Sequence, residues 1–234
     1  MSKIPKECLP GRETWPEYLV PEEFADTPKQ LNLADVLLDR HVREGRGENV
    51  AIKFMDKEIT FAQLQKQVNQ FGNALREAGV EPQDRVGIRL VNAPQSLVTI
   101  FAIEKIGAIP VPTSPLWSRE EIAYVVNNAE MKYFVVNSPL LEQVEAAKSN
   151  FEFGTRVIVI GGKPEEVKAS SHLSFEEMLA KGKPQLEPEM LSEDDIGVIL
   201  YTSGTTGMPK GCVHFVRPIV IETKVVNRHV YHLK

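Results

Sequence analysis

Ile196-Gly197-Val198-Ile199-Leu200-Tyr201, followed directly by Thr202-Ser203-Gly204-Thr205-Thr206-Gly207-Met208-Pro209-Lys210-Gly211, is the stretch that decides how this chain is read. The first six residues are an apolar run of strand length. The next ten hold four hydroxyl residues, three glycines and one lysine. Glycines let backbone N–H groups turn toward a ligand at close range, hydroxyls add donors that also reach a metal, and lysine supplies a mobile positive charge. That combination suits a polyphosphate. A loop beyond the carboxyl end of a parallel strand, the place expected for this one, is where open α/β sheets take ligands.

Spacing narrows the choice. The phosphate loop of kinases and ATPases needs a glycine, four residues, then Gly-Lys-Ser/Thr. Here Gly204 is followed by Gly207, and Lys210 precedes Gly211 rather than a hydroxyl residue. The three-glycine dinucleotide fingerprint is missing as well. A plain polar linker has no need of a lysine fixed between Pro209 and Gly211.

Upstream, strands alternate with amphipathic helices. Asn32 is placed to cap a helix, and Val50 to Phe54 turns back through Ile59 as a hairpin. Thr60 with Gln63, and Ser118 with Glu121, have capping-box spacing, while Gly79 and Gly107 end helices. Strands are expected at Arg85 to Leu90, Ala108 to Val111, Lys132 to Val136 and Thr155 to Ile160, with a helix over Leu140 to Lys148. This alternation predicts an α/β fold, mostly parallel sheet flanked by helices. The first 30 residues, rich in Pro and Glu, read as an irregular arm, and residues 31–195 as an α/β subdomain. Lys163 to Asp195 reads as a charged surface excursion with one short helix that Ser174 and Glu177 cap. Residues 196–234 carry the strand, the loop and a helix running from Pro218 through Val230.

The string Tyr201 to Gly211 resembles the phosphate-loop signature of the adenylate-forming superfamily, which includes acyl- and aryl-CoA synthetases, peptide-synthetase adenylation domains and firefly luciferase. Ile59-Thr-Phe-Ala-Gln-Leu64, Ala78-Gly79-Val80 through Asp84-Arg85-Val86, and Gly107-Ala-Ile-Pro-Val-Pro112 are similar to that family's N-terminal landmarks. The Trp15-Pro16-Glu17-Tyr18 arm and Val213-His214-Phe215 look closest to benzoate and 2-aminobenzoate CoA ligases. The resemblance implies a ligase that uses ATP, Mg2+ and coenzyme A to convert a carboxylic acid, aryl or medium-chain acyl, through an acyl-adenylate to its thioester. It implies that Thr202, Ser203, Thr205 and Thr206 donate to phosphate oxygens, that Gly204, Gly207 and Gly211 permit close approach, and that Lys210 neutralises phosphate charge. His214 is a candidate for lining the site. The family's adenine-stacking, ribose-binding and hinge segments and its C-terminal catalytic lysine have no counterpart here, so no catalytic set is complete. The chain therefore reads as the incomplete N-terminal portion of that fold, catalytically incomplete by itself. Alternatives are one half of a split ligase partnered by a separately encoded C-terminal half, or a truncated, non-catalytic interaction or nucleotide-binding module that self-associates through an exposed apolar face.

Composition agrees with a globular enzyme part. The 234 residues are 42 % apolar, with 27 Lys plus Arg against 32 Asp plus Glu and a net charge of −5, which gives no electrostatic reason to expect nucleic acid or an anionic membrane as partner. Cys8 and Cys212, at opposite ends of the chain, form neither a disulfide framework nor a zinc motif, so a cytoplasmic location is expected. His41, His172, His214, His229 and His232 show no metal spacing, and no metal site is expected. Asp194 and Asp195 read as a turn, Glu120-Glu121 and Glu165-Glu166 as helix N-terminal charges, and Cys212 as a small packing residue.

Overall fold

The computed structural model describes residues 11–14, 20–202 and 207–232. Much of the expected N-terminal arm, including Trp15 to Tyr18, therefore lies outside the described residues. Its remainder forms short 3-10 turns at Arg12–Thr14 and Glu22–Phe24, followed by β1 (Gln30–Leu31). Asn32 then opens a helix as expected: its Oδ1 accepts from the Asp35 N–H at 3.2 Å. A π-helical stretch, Asp35–Asp39, runs into α1 (Arg40–Arg43). β2 (Val50–Phe54) and β3 (Lys57–Thr60) form the hairpin.

Capping decides where the main helices begin. At α2 (Phe61–Glu77) the Thr60 side chain accepts from the Gln63 N–H while the Gln63 side chain returns to the Thr60 N–H. This exchange satisfies two donors that the first turn would otherwise leave orphaned. The same reciprocal box opens α4 (Arg119–Asn128) at Ser118 and Glu121. Between them lie β4 (Arg85–Arg89), α3 (Pro94–Lys105) and β5 (Ile109–Pro112). After α4 come β6 (Tyr133–Asn137), α5 (Leu141–Lys148), β7 (Arg156–Ile160), α6 (Pro164–Ala169), β8 (Leu173–Ser174) and α7 (Phe175–Lys181).

Five of these strands make one parallel sheet in the order β5-β4-β6-β7-β8. Helices cover both faces, and the period-2 alternation of β6 shows how. Tyr133 and Val135 join a core with Phe71, Leu75, Ile103 and Phe175 from α2, α3 and α7, whereas Phe134 and Val136 join one with Ile122, Val125 and Val144 from α4 and α5. A strand buried on both sides is a near-continuous apolar run for this reason.

The excursion expected over Lys163 to Asp195 is more integrated than its composition suggests. It contains α6 as well as α7, contributes β8 to the sheet edge, and buries Phe175 beside Phe71 with ring centroids 4.5 Å apart. Its proline-containing end, which has fewer N–H donors, is held through its carbonyls. Asn69 donates to Pro184 O, and Asn73 to Lys183 O and Gln185 O, all at 2.8 Å. Fully buried Asn32 adds bonds to Glu104 O and Glu189 O, both 2.8 Å. Nearby, the buried Lys105 ammonium pairs with Asp39 Oδ2 at 2.7 Å and donates to Asn69 Oδ1 at 2.6 Å. One turn end of α3 is less settled: Glu104 Oε2 is enclosed without a hydrogen-bond partner among the described residues, and burial pushes the carboxyl up to about 8.

The chain continues through β9 (Leu191–Ser192), β10 (Ile196–Thr202) and β11 (Lys210–Phe215) to α8 (Val216–Val225), extended by a π-helical turn over Val226–Val230. β1 pairs antiparallel with β9, and Leu31, Leu33 and Leu191 pack with Val216 and Val220 in a small core of their own. α8 starts two residues before the expected Pro218, which sits in the first turn where its missing N–H costs nothing. The helix has no side-chain cap, and the Val216 N–H donates instead to Asp195 O at 3.0 Å.

Candidate functional site

A side chain that imitates a peptide unit joins the glycine-rich segment to the sheet. Gln83, 3 % exposed, donates from Nε2 to Ile196 O at 3.3 Å and accepts the Ile196 N–H on Oε1 at 3.2 Å. Ile196 and Ile199 then bury on the α4 face of the sheet with Ile109, Val111 and Trp117. Trp117 is placed by Arg89, at the carboxyl end of β4, whose fully buried guanidinium donates to the carbonyls of Ser114, Pro115 and Trp117 and to Gln143 Oε1. The loop between β5 and α4 is thus tied to the strand beside it.

β10 does not join the parallel sheet. It pairs antiparallel with β11, with Leu200 opposite Cys212, Tyr201 opposite Gly211 and Thr202 opposite Lys210. The glycine-rich segment therefore links two antiparallel strands rather than following a parallel one. Chain length explains the correction: a parallel return needs a crossover of about a dozen residues or more, and only residues 203–209 separate these two strands.

Of the expected phosphate contacts, Ser203, Gly204, Thr205 and Thr206 lie outside the described residues. Thr202 and Lys210 face each other at the mouth of the turn, both exposed, and the Thr202 hydroxyl donates to Lys210 O at 3.5 Å. The Lys210 ammonium makes no ion pair with the described residues, which leaves its charge available. At Gly207 an added Cβ would meet nothing within 4 Å. Gly211 is different. A Cβ there would lie 3.0 Å from Tyr201 Cζ and 3.2 Å from Ile199 Cγ2, so the room its missing side chain leaves is taken by the protein's own tyrosine. His214 is half-buried on β11 opposite Val198, away from the turn by four positions. Cys212 is exposed, contrary to a packing role, because it and Leu200 occupy the hairpin face that no described element covers.

Three residues with no expected role meet at the stem of the turn. The Tyr201 ring lies edge-on to Trp117, centroids 6.3 Å apart at 85°, and its hydroxyl donates to Asn128 Oδ1 at 2.5 Å. Burial, with the neighbouring Tyr124 adding to it, pushes the phenol up to about 12, so it remains a donor at neutral pH. The only sequence signal was Tyr201 standing immediately before the hydroxyl-rich run; the spacing of Trp117 and Asn128 carries none.

Elsewhere, Asp195 makes the expected turn by accepting from the N–H and hydroxyl of Ser192 at 2.8 and 2.9 Å. His229 pairs with Glu23 at 2.6 Å, and His172 with Glu145 at 2.9 Å. Among the described residues no group of three His, Cys, Asp or Glu side chains is placed to hold a metal ion. No described helix is long and apolar enough to cross a membrane.

An exposed cation and hydroxyl thus face each other beside a glycine-rich segment mounted on a parallel α/β layer, and comparison with known proteins identifies the family. The AMP-binding enzyme family matches residues 38–233, and the chain belongs to that family. Among curated relatives, a 3-hydroxybenzoate/4-hydroxybenzoate CoA ligase of Thauera aromatica is 28 % identical over 85 % of this chain and 38 % of its own. An acetyl-coenzyme A synthetase of Streptomyces avermitilis is 32 % identical, covering 88 % of this chain and 34 % of the relative. Among solved structures, an anthranilate CoA ligase in complex with anthranoyl-AMP matches at a TM-score of 0.82 and 29 % identity, over 88 % of this chain and 39 % of that one. A benzoate CoA ligase from Burkholderia xenovorans shares the fold at a TM-score of 0.74 and 21 % identity, over 87 % of this chain and 38 % of that one. The chain thus spans little more than a third of the length of the relatives it matches.

Proposed function

We propose that this chain is the N-terminal portion of an ATP-dependent acid–thiol ligase, and that its hairpin turn holds the β- and γ-phosphates of ATP while a carboxylic acid is converted to an acyl-adenylate and then to a CoA thioester. The observation that carries the reading is the pairing of exposed Thr202 with exposed Lys210, which makes no ion pair with the described residues, across the mouth of the glycine-rich turn. Open space at Gly207 fits a phosphate approaching the backbone. In this role Thr202 and the turn residues Ser203, Thr205 and Thr206 donate to phosphate oxygens, and Gly204, Gly207 and Gly211 keep the backbone slim. Lys210 neutralises charge as it builds on the departing pyrophosphate, a preorganised electrostatic contribution. Mg2+, when bound with the nucleotide, supplies further charge neutralisation. His214 lines the neighbouring acid pocket. Similarity to hydroxybenzoate and anthranilate ligases favours an aryl acid, and similarity to acetyl-coenzyme A synthetases keeps short acyl groups as the competing class.

By itself the 234-residue chain supplies a triphosphate grip without a complete catalytic set. ATP–pyrophosphate exchange with benzoate, 2-aminobenzoate and medium-chain acids tests this. The expected result is no exchange above background; robust exchange by this polypeptide overturns it. A separately encoded C-terminal half would complete the site in the split-enzyme reading, which the exposed Leu200 and Cys212 on the hairpin favour.

A further inference from the structure

We propose that Tyr201 is a positioning residue that clamps the phosphate turn to α4, with Asn128 and Trp117 as the other two jaws. Tyr201 is the residue of β10 immediately before the Thr202–Lys210 pair, so whatever fixes its ring fixes the mouth of the turn. Three contacts do so from three directions. The ring crosses to the partner strand, where a Cβ at 211 would come within 3.0 Å of it. Its edge meets Trp117, in the loop that Arg89 ties to the parallel sheet. Its hydroxyl reaches Asn128 at the last turn of α4. A tyrosine in this setting does what a longer strand ladder would do, holding a short hairpin in one orientation without adding backbone near the ligand.

The hydrogen bond is the separable part. Phenylalanine at 201 keeps the ring between Trp117 and Gly211 and removes only the donor, whereas aspartate at 128 keeps an acceptor that leucine lacks. Because the phenol stays protonated well above neutral pH, the bond is present throughout the range in which ATP chemistry is assayed.

The role in ligand binding rests on the phosphate-turn reading, so two measurements on the full chain are paired. Hydrogen exchange reads the turn without any ligand: Tyr201→Phe and Asn128→Leu each speed exchange of the Gly207 to Cys212 amides by about three- to tenfold, the range set by losing one hydrogen bond. Asn128→Asp leaves them at the wild-type rate, and the amides of the parallel sheet are unchanged in all three. Calorimetric titration with Mg-ATP then gives the same pattern in affinity: weaker for Tyr201→Phe and Asn128→Leu, restored in Asn128→Asp, at unchanged urea midpoints. Equal exchange in wild type and all variants overturns the clamp. Faster exchange combined with no Mg-ATP binding by wild type overturns the phosphate-turn reading and leaves the clamp standing. Normal binding with unaltered exchange does the reverse.

Discussion

The parallel sheet and the β10–β11 hairpin are built from similar apolar strands, yet they are opposites in what they enclose. In the sheet, β4 and β6 are covered on both faces, and residues such as Val86, Phe134 and Val135 have no exposure at all. In the hairpin, Ile196 and Ile199 are buried while Leu200 remains 41 % exposed and Thr202, Lys210 and Cys212 face outward. The lesson is one of division of labour. Stability resides where burial is two-sided, and the hairpin is attached to that layer through one face alone, by buried Ile196 and Ile199 and by the side-chain bonds of Gln83 and Tyr201.

This contrast is sharpest in truncation. Phe71→Ala removes a fully buried ring that packs on Phe175, and it is expected to lower unfolding free energy by about 3–5 kcal/mol in urea titrations. A cost near that of a surface change would dissolve the distinction between the two regions.

Glu104 probes the sheet side through pH. The folded chain retains its proton up to about 8, whereas an unfolded carboxyl releases it near the ordinary 4.5. Stability from this group is therefore fully present below about 4.5 and is lost as pH rises through 8. Glu104→Gln stays neutral, so the variant should gain on wild type with rising pH, by about 2 kcal/mol at the alkaline end once partial exposure of the residue is allowed for. Parallel stability curves for the two proteins from pH 4 to about 9 would show that burial of Oε2 has no energetic weight.

The smallest effect is expected on the hairpin. Leu200→Ser, on its open face, should change stability by less than about 0.5 kcal/mol in the same titration. A loss comparable to that of Phe71→Ala would show that this face is a core in solution, covered by another copy of the chain.

Legibility in the sequence follows the range of the interactions involved. The caps at Thr60, Ser118 and Ser174 were readable because each partner lies three residues away, and all three form. The helix–strand alternation led to the parallel sheet for the same reason. Failure came with distance. β8 is two residues long, too short for any periodicity, and the 183–189 segment is held by Asn69 and Asn73, more than a hundred residues earlier. Antiparallel pairing of β10 was hidden because Lys210-Gly211-Cys212 shows no alternation of apolar and polar residues. At the candidate site, the family resemblance assigned Gly211 to a ligand's approach, whereas in the structure a Cβ there would press on the Tyr201 ring, a contact across strands that the sequence does not signal.

The Gln83–Ile196 pairing carries a consequence for biosynthesis. All five parallel strands are contained in residues 85–174, so the sheet can assemble on the ribosome before the hairpin has been synthesised. Until then the Gln83 amide has Gly107 O as its partner within the body, and it gains the Ile196 peptide only when a contact spanning 113 residues closes. Such distant closures come late in folding. The nascent chain thus acquires a stable body first and its glycine-rich hairpin last, when the strands beneath it already have fixed places.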